Sequence, residues 1–531
     1  MPPTLETSYQ QVNTSQQPLK KEPAFVSGPA VVWCIAGAVL FLHLLTATRY
    51  GYFGDEMYHM ACGEHLAWGY VDQPPVIAIV AWLVRHLFGT SVFAIHILPA
   101  VSGFILVWLT GVLARELGGG RFAQALAALC TACAGVYLVL HHLFTMNAWE
   151  ALLWMGCACV VIRVIKTGNQ KQWLWFGVLA GIGLENKYSM GLFGLGILIG
   201  LLFTRERKAF AGKWIWIAGL VAFAIFLPNL IWNIQHHFPF LELMRNIRAS
   251  GRDVRLTPLG YIRAQIFLMT PATFPVWFLG ALYFFFWKQG KPFRVLGWAF
   301  VTVMVVLIVL HGKDYYANPV YPVVFAGGAI AIEQFSAGKR LVWIRPLSLS
   351  LMLLVTLAFL PLFVPVLSPE AFLRYQAKFP FKIQPQEKSM TTEPMPHYYS
   401  GNFGWEEMVQ GVAKAYATLP ANERADTVIF AENFAEAGAV DLIGPKYGLP
   451  KAISGHQNYW LWGPRNYSGQ TVILLGATAE DARKWFDKVN VAAELHNPYA
   501  APWENKPVLL CRRPKNFHSL PEVWPRLKNW D

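Results

Sequence analysis

The sequence predicts an α-helical polytopic membrane protein of about eleven transmembrane helices, with a C-terminal α/β domain outside the cytoplasm. Three observations predict it. First, the 531 residues are 55% hydrophobic and only 14% charged, against about 25% charged in an average soluble protein, and mean hydropathy is +0.36. Second, apolar runs close to the length that a helix needs to cross a bilayer, about 20 residues, recur along the first two thirds of the chain. Third, Lys and Arg fall in short clusters in alternate connections between those runs, as membrane topology produces. The composition excludes a disordered chain, a collagen-like fibre and an ordinary cytosolic enzyme. The net charge of +13 would suit a nucleic-acid partner, but the basic residues follow the loops and no nucleic-acid motif is present.

Residues 1–27 are polar and end in Lys20 and Lys21, without the apolar core and cleavage site of a signal peptide. They read as a disordered cytoplasmic tail. A first span follows at 28–47. Further apolar runs lie near 91–115, 121–141, 148–165, 173–190, 191–204, 214–232, 261–287, 295–311, 315–335 and 341–366. Basic clusters at Arg115/Arg121, Arg163/Lys166/Lys171, Arg205–Lys213, Lys288–Arg294 and Lys339–Arg345 all fall on one side if the amino terminus is cytoplasmic. The stretch 74–88 opens with Pro74-Pro75 and contains Arg85 and His86. It is too short to span, and counting it as a crossing would invert every later loop, so it reads as an interfacial helix on the outer face.

The membrane domain thus covers 28–366. In 367–531 apolar density falls, and short strands at 427–431, 451–454, 471–476 and 507–511 alternate with helical patterns at 404–418, 432–443 and 478–488. That alternation predicts a small α/β layer domain. The seven Cys give no disulfide framework. Cys130 and Cys133 have CxxC spacing inside an apolar run, which suits buried thiols better than metal ligands.

Four outer stretches carry groups capable of chemistry. The first loop contains Asp55 and Glu56, followed by Tyr58, His59, Glu64, His65 and Trp68 on an amphipathic pattern. A carboxylate at the membrane edge suits a general base. Asp55 equally suits a helix cap, and the aromatics suit interfacial anchors. The second, HHLFTMNAWE, holds His142, Asn147 and Glu150. Glu150 is either a functional intramembrane carboxylate, with Lys187 or the histidines as its partner, or a favourable charge at a helix amino end. The third, GLENKYS, places Lys187 on the outer side, against the positive-inside pattern. A lipid phosphate would explain it, and so would pairing with Glu185. The fourth, 233–260, carries Arg245, Arg248, Arg252 and Arg255, which suit phosphate or an anionic headgroup or a solvated loop. Lys313 and Asp314 in HGKDYY add to the same face. The His and carboxylates leave a divalent metal open, but no HExxH-type signature supports one.

Taken together, GDEMYHMACGEHLAWGYVDQPP, FTMNAWEALLW, GLENKYSMGLF and DYYANPVYPVVFAGGAIAIE, in this order and topology, resemble the GT-C membrane glycosyltransferases. They are most similar to the dolichyl-phosphate-mannose-protein mannosyltransferase-like proteins (family 39), which include the bacterial aminoarabinose transferases. The resemblance covers roughly 28–335. It implies a polyprenyl-phosphate-linked sugar donor and transfer with inversion to a lipid, polysaccharide or protein acceptor on the periplasmic face of a bacterial inner membrane. It implies no redox cofactor. Asp55 matches the family's acidic residue, the base or acceptor-orienting group, with Glu56 as its companion. Lys187 falls where relatives carry a Lys near the donor phosphate. Tyr58, His59, Asp72, Gln73, His142, Asn147, Glu150, Arg245 and Arg248 complete the expected substrate-binding set. Two positions depart from the pattern: Asp72-Gln73 stands where aminoarabinose transferases have Glu-Lys, and Asn147 stands where relatives often have Asp. The terminal segments ENFAEAG and GHQNYWLWGP either face the site or form structural loops. The rival readings are a transporter or flippase of a lipid-linked sugar, which predicts inverted repeats and midplane charges, and a non-catalytic assembly protein.

Overall fold

The computed structural model describes residues 28–379 and 383–531; the expected amino-terminal tail lies outside the described residues. The membrane part is built from sixteen helices. They are α1 (Gly28–Thr46), α2 (Gly54–Glu64), α3 (Val76–Leu87), α4 (Val92–Glu116), α5 (Arg121–Cys133), α6 (Gly135–Leu140), α7 (Asn147–Thr167) and α8 (Trp173–Asn186), followed by α9 (Met190–Leu202), α10 (Lys213–Gln235), α11 (Pro239–Ser250), α12 (Pro258–Leu268), α13 (Phe274–Phe286), α14 (Arg294–Val309), α15 (Tyr321–Phe335) and α16 (Ile344–Phe363). Among the described residues, five helices are long and apolar enough to cross a membrane: Val92–Glu116, Asn147–Thr167, Lys213–Gln235, Lys291–Val309 and Ile344–Phe363. The pair Pro258–Leu268 and Pro271–Phe286, bent by 101°, makes a sixth if counted as one span. Ala30–Thr46, Arg121–Cys133 and Met190–Leu202 are apolar but shorter.

Two of the expected single runs are therefore broken. The run at 261–287 turns at Thr270, whose φ is +65°, ahead of Pro271, which cannot donate a helical hydrogen bond. The run at 121–141 is interrupted at Ala134. The two breaks satisfy each other: Thr270 Oγ1 donates to Cys133 O at 2.8 Å and accepts from Gly135 N at 3.1 Å. Backbone groups freed inside an apolar environment need such partners. Elsewhere the helices approach through glycine. A Cβ on Gly280 would lie 1.7 Å from Val324 O, and one on Gly328 would lie 1.8 Å from Val276 O, so α13 and α15 cross with their backbones in contact.

The stretch 74–88 forms α3, twelve residues long, or about 18 Å at 1.5 Å per residue, against about 30 Å of hydrocarbon. Ile77, Ala78, Ala81 and Val84 are buried, whereas Trp82, Leu83, Leu87 and Phe88 are exposed. Arg85 closes an ion pair with Glu64 on α2.

Residues 428–514 form a five-stranded sheet from β1 (Val428–Ala431), β2 (Ile453–Ser454), β3 (Thr471–Leu475), β4 (Phe486–Ala493) and β5 (Val508–Pro514). The order is β2-β1-β3-β5-β4. β1 runs parallel to β2 and β3, and β5 runs antiparallel to β3 and β4. Helices Trp405–Ala417 and Phe434–Ile443 cover one face. That face is continuous with the first loop: Met57, Tyr58, Ala61 and Cys62 of α2 share a buried cluster with Trp405, Val409, Val440, Ile473 and Leu510. Gly438 makes the approach feasible, because a Cβ there would lie 2.9 Å from Met57 C and Tyr58 N. The sheet unit is thus packed onto the helix that carries Asp55.

Candidate active site

The first loop turns after α1 through Tyr50 and Gly51, both at positive φ, and α2 begins at Gly54. Asp55 does not cap this helix. It stands in the first turn, while Glu56 supplies the cap by accepting Phe53 N at 2.9 Å. Glu56 is fully buried and also accepts Phe144 N at 2.7 Å and meets His96 Nε2 at 2.9 Å. The adjacent carboxylates therefore face different surroundings. Glu56 ties α2 to α4 and to the turn before α7, which gives it a framing place rather than one in the cleft.

Asp55 is half-buried and accepts no hydrogen bond among the described residues. Burial raises its pKa above the ordinary carboxylate value; His59, His397 and Lys313 oppose this and Glu387 reinforces it. These groups come from α2, from the segment before α15 and from the chain beyond α16, so three distant parts of the sequence set the charge around Asp55. His59 lies a turn further along α2, and its Nδ1–H donates to Phe144 O at 3.1 Å. Burial pushes the Asp72 pKa up to about 6, against a bond from the Tyr58 hydroxyl and the charge of His59. Tyr58 donates to Asp72 Oδ1 at 2.8 Å and accepts from Asn458 Nδ2. Asn458 Oδ1 accepts Val71 N at 3.1 Å. One amide from the sheet unit therefore fixes both the Tyr58–Asp72 pair and the backbone next to it.

Lys187 forms the second charged centre. Its Nζ donates to Asn147 Oδ1 at 2.7 Å and to Glu150 Oε2 at 2.9 Å, and Ser189 donates to the other Glu150 oxygen. The partner of Lys187 is thus Glu150, not Glu185. The ammonium also lies 4.6 Å from the Tyr316 ring centre and 5.7 Å from that of Tyr315, a cation–π arrangement. Tyr315 feels the charges of both Asp55 and Glu150, so it neighbours both centres. Asn147 and Glu150 occupy the first turn of α7, where the helix dipole favours a carboxylate. Beside Lys187, a cavity of about 230 Å³ is lined by Tyr188, Phe226, Leu230, Phe238, Phe240 and Leu241, with Asn233 at its edge.

Other expected residues fall elsewhere. Gln73 is fully buried, and its Nε2 faces Cys62 Sγ at 3.8 Å, turned inward from the cleft. His142 is buried between the rings of His43 and His96, 5.9 and 5.3 Å away. Arg245 and Arg248 are exposed on α11, whose Leu243 packs against Val71 and Trp530. Neither is among the charges that act on Asp55. Arg252 reaches Glu387 at 3.6 Å and Asp531 at 3.8 Å. Among the described residues no group of three or more His, Cys, Asp or Glu is arranged to hold a metal ion. The groups that sequence reasoning missed are Tyr315, Tyr316, Glu387, His397 and Asn458. The aromatic pair directly after Lys313-Asp314 was a readable signal, and Asn458 lies in GHQNYWLWGP, a segment already open to the site, whereas Glu387 and His397 come near Asp55 only through folding.

The family model for dolichyl-phosphate-mannose-protein mannosyltransferases matches residues 72–232. The undecaprenyl phosphate-α-4-amino-4-deoxy-L-arabinose arabinosyl transferase 1 of Pseudomonas fluorescens is 26% identical over 43% of this chain and 43% of its own length. The lipopolysaccharide core galacturonosyltransferase RgtA of Rhizobium johnstonii is 26% identical over 39% of this chain and 42% of its own. The match thus spans less than half the length of these curated relatives. The crystal structure of ArnT from Cupriavidus metallidurans bound to undecaprenyl phosphate superposes with a TM-score of 0.59 at 13% identity, over 90% of this chain and 97% of that one. The fold is that of these membrane enzymes, and the GT-C resemblance read in the sequence is borne out.

Proposed function

We propose that this GT-C-type chain is a glycosyltransferase that moves a sugar from a polyprenyl-phosphate donor to an acceptor on the periplasmic face of a bacterial inner membrane. The observation that carries the reading is a pair of centres with Tyr315 as a common neighbour: an unbonded carboxylate, Asp55, and a half-buried ammonium, Lys187, paired with Glu150. Sugar transfer from a lipid phosphate needs both kinds of group. The acceptor hydroxyl or amine loses a proton to Asp55 as its lone pair attacks the anomeric carbon. The bond from that carbon to the phosphate oxygen breaks on the opposite face, so the configuration inverts. The electron pair stays on the lipid phosphate, whose charge Lys187 meets. Burial raises the Asp55 pKa above the ordinary carboxylate value, which makes the carboxylate a stronger base. The apolar cavity beside Tyr188 suits the first isoprene units of the carrier.

In this reading the amino terminus is cytoplasmic, about eleven spans cross the bilayer, and the sheet unit stands outside over the cleft. Asp72, His59 and Tyr58 contact the transferred sugar or the acceptor. Glu56 frames the site. Acceptor classes are lipid, polysaccharide and protein. The names of the relatives, an arabinosyl transferase and a lipopolysaccharide core galacturonosyltransferase, favour a glycolipid of the cell envelope.

The test mixes purified protein with radiolabelled polyprenyl-phosphate sugars and membrane extract. The reading predicts label in an acceptor together with release of the unglycosylated lipid phosphate. Failure to transfer from any donor, with extract from a deletion strain as the acceptor source, would overturn it.

A further inference from the structure

His397 is a titratable group on the cleft wall that the reaction above does not use. It opens a single helical turn, His397–Ser400, in the chain that leads from α16 to the sheet unit. That turn is fastened to the head of α2. Gly54 N donates to Gly401 O at 3.1 Å, and Trp405 Nε1 donates to the same carbonyl at 2.9 Å. The Phe53 ring meets the His397 ring edge-on with centres 5.4 Å apart. Gly401 permits this closeness, since a Cβ there would lie 2.6 Å from Phe53 Cε2. Phe53 is two residues before Asp55, so the docking fixes His397 beside the first turn of α2.

The other side of the ring is also fixed. His397 Nδ1–H donates to Glu393 Oε1 at 2.7 Å, and the Glu393 side chain is 1% exposed. The second Glu393 oxygen is buried without a hydrogen bond. A buried carboxylate in that position favours an imidazolium partner, because an unpaired buried charge is costly. His397 itself keeps 33% of its side chain open.

We propose that His397, clamped between Phe53 and Glu393, is a positioning residue that holds a positive charge beside Asp55 and keeps that carboxylate ionised. The inference rests on the reading of Asp55 as the acceptor's base, and it names what maintains that base. The charges around the pair support it. Burial works against the imidazolium, yet the bond and charge of Glu393, together with Asp55 and Glu387, outweigh it and hold the His397 pKa above the usual value. Glu504 also feels His397. On the Asp55 side, burial raises the pKa, and His59, His397 and Lys313 lower it while Glu387 raises it. His397 is thus one of three groups, with His59 and Lys313, that offset the desolvation of Asp55, and it comes from the chain beyond α16. Removing it leaves burial less opposed, so the Asp55 pKa rises and the carboxylate is ionised only at higher pH.

The experiment reads Asp55 directly and needs no turnover. Full-length protein is treated with a water-soluble carbodiimide and an amine across a pH series, and labelling at Asp55 is followed by mass spectrometry. Carbodiimide reacts with the protonated carboxyl, so the midpoint reports the Asp55 pKa. His397→Gln should raise the midpoint by about one pH unit. Glu393→Gln should raise it by less, and His397→Lys should return it to the wild-type value. The acid limb of the kcat/KM profile should move with it. An equal midpoint in wild type, H397Q and E393Q would overturn the proposal, as would a loss of activity uniform across pH in either variant. If H397Q does not fold, E393Q and H397K carry the comparison. A shifted midpoint in a protein without transferase activity would uphold the pairing and overturn the functional reading instead.

Discussion

Replacing Glu56 separates a framing carboxylate from a reacting one. Its two oxygens serve Phe53 N, Phe144 N and His96 Nε2 at 2.9, 2.7 and 2.9 Å, and the side chain is wholly buried. Glu56→Ala leaves two main-chain donors and one imidazole nitrogen without an acceptor. At about 1–3 kcal/mol for each of the three buried groups left unpaired, the cost is about 3–9 kcal/mol. Glu56→Gln preserves the shape and one acceptor oxygen but turns an amide N–H toward a donor, which costs about 1–3 kcal/mol. The assay is thermal unfolding of the purified protein in detergent, followed by Trp fluorescence, with sugar transfer measured on the same samples. The expected order of Tm is wild type, E56Q, E56A, and folded E56Q should keep at least a tenth of wild-type transfer (a loss within ~1.4 kcal/mol). An unchanged Tm for E56Q combined with abolished transfer would refute the reasoning and move Glu56 into the chemistry.

Three further outcomes are expected. Lys187→Met removes the ammonium that Asn147 and Glu150 hold; kcat should fall about 100-fold or more, whereas a wild-type kcat would exclude Lys187 from the leaving-group site. Burial pushes the Asp441 pKa up to about 6, against Lys451 and bonds from Ala452 N and Tyr459. The fold therefore binds this proton more tightly than the unfolded chain does, and stability falls as pH rises from about 4 through about 6. Asp441→Asn should shrink the drop in Tm between pH 4.5 and 7.5, and an unaltered drop would contradict this. Gly280→Ala places a Cβ against Val324 O, whereas Gly194 has nothing within 4 Å; G280A should cost about 2–3 kcal/mol or more and G194A almost nothing, as read by yield and Tm.

What the sequence disclosed follows from what is local in it. Strand segments at 427–431, 471–476 and 507–511 coincide with β1, β3 and β5, because short apolar runs bounded by polar turns carry their own signal. The helices at 405–417 and 434–443 lie within the expected ranges for the same reason. β4 was missed, and the pattern at 478–488 read as helix. Only Ala479–Trp485 is helical, and the following FDKVNVAA is a mostly exposed edge strand that owes its pairing to β5. The breaks at Ala134 and Thr270 were also hidden. Each is stabilised by the other across more than a hundred residues, and hydropathy does not register such a contact. At the site, the positions of Asp55 and Lys187 were readable from charges out of place at a membrane edge. Their surroundings were legible only in part. Pairing of Lys187 with Glu150 was one of the open alternatives and the fold selects it over Glu185, whereas the groups that tune Asp55 include one more than three hundred residues away, His397.

The most direct measurement is the rate of sugar transfer by Asp55→Asn beside wild type, under conditions in which both bind the polyprenyl-phosphate sugar equally. Loss of a general base predicts a fall in kcat of about 100- to 10,000-fold with donor binding intact. A variant that transfers sugar at the wild-type rate would contradict the assignment of Asp55 and, with it, the two-centre account of the cleft.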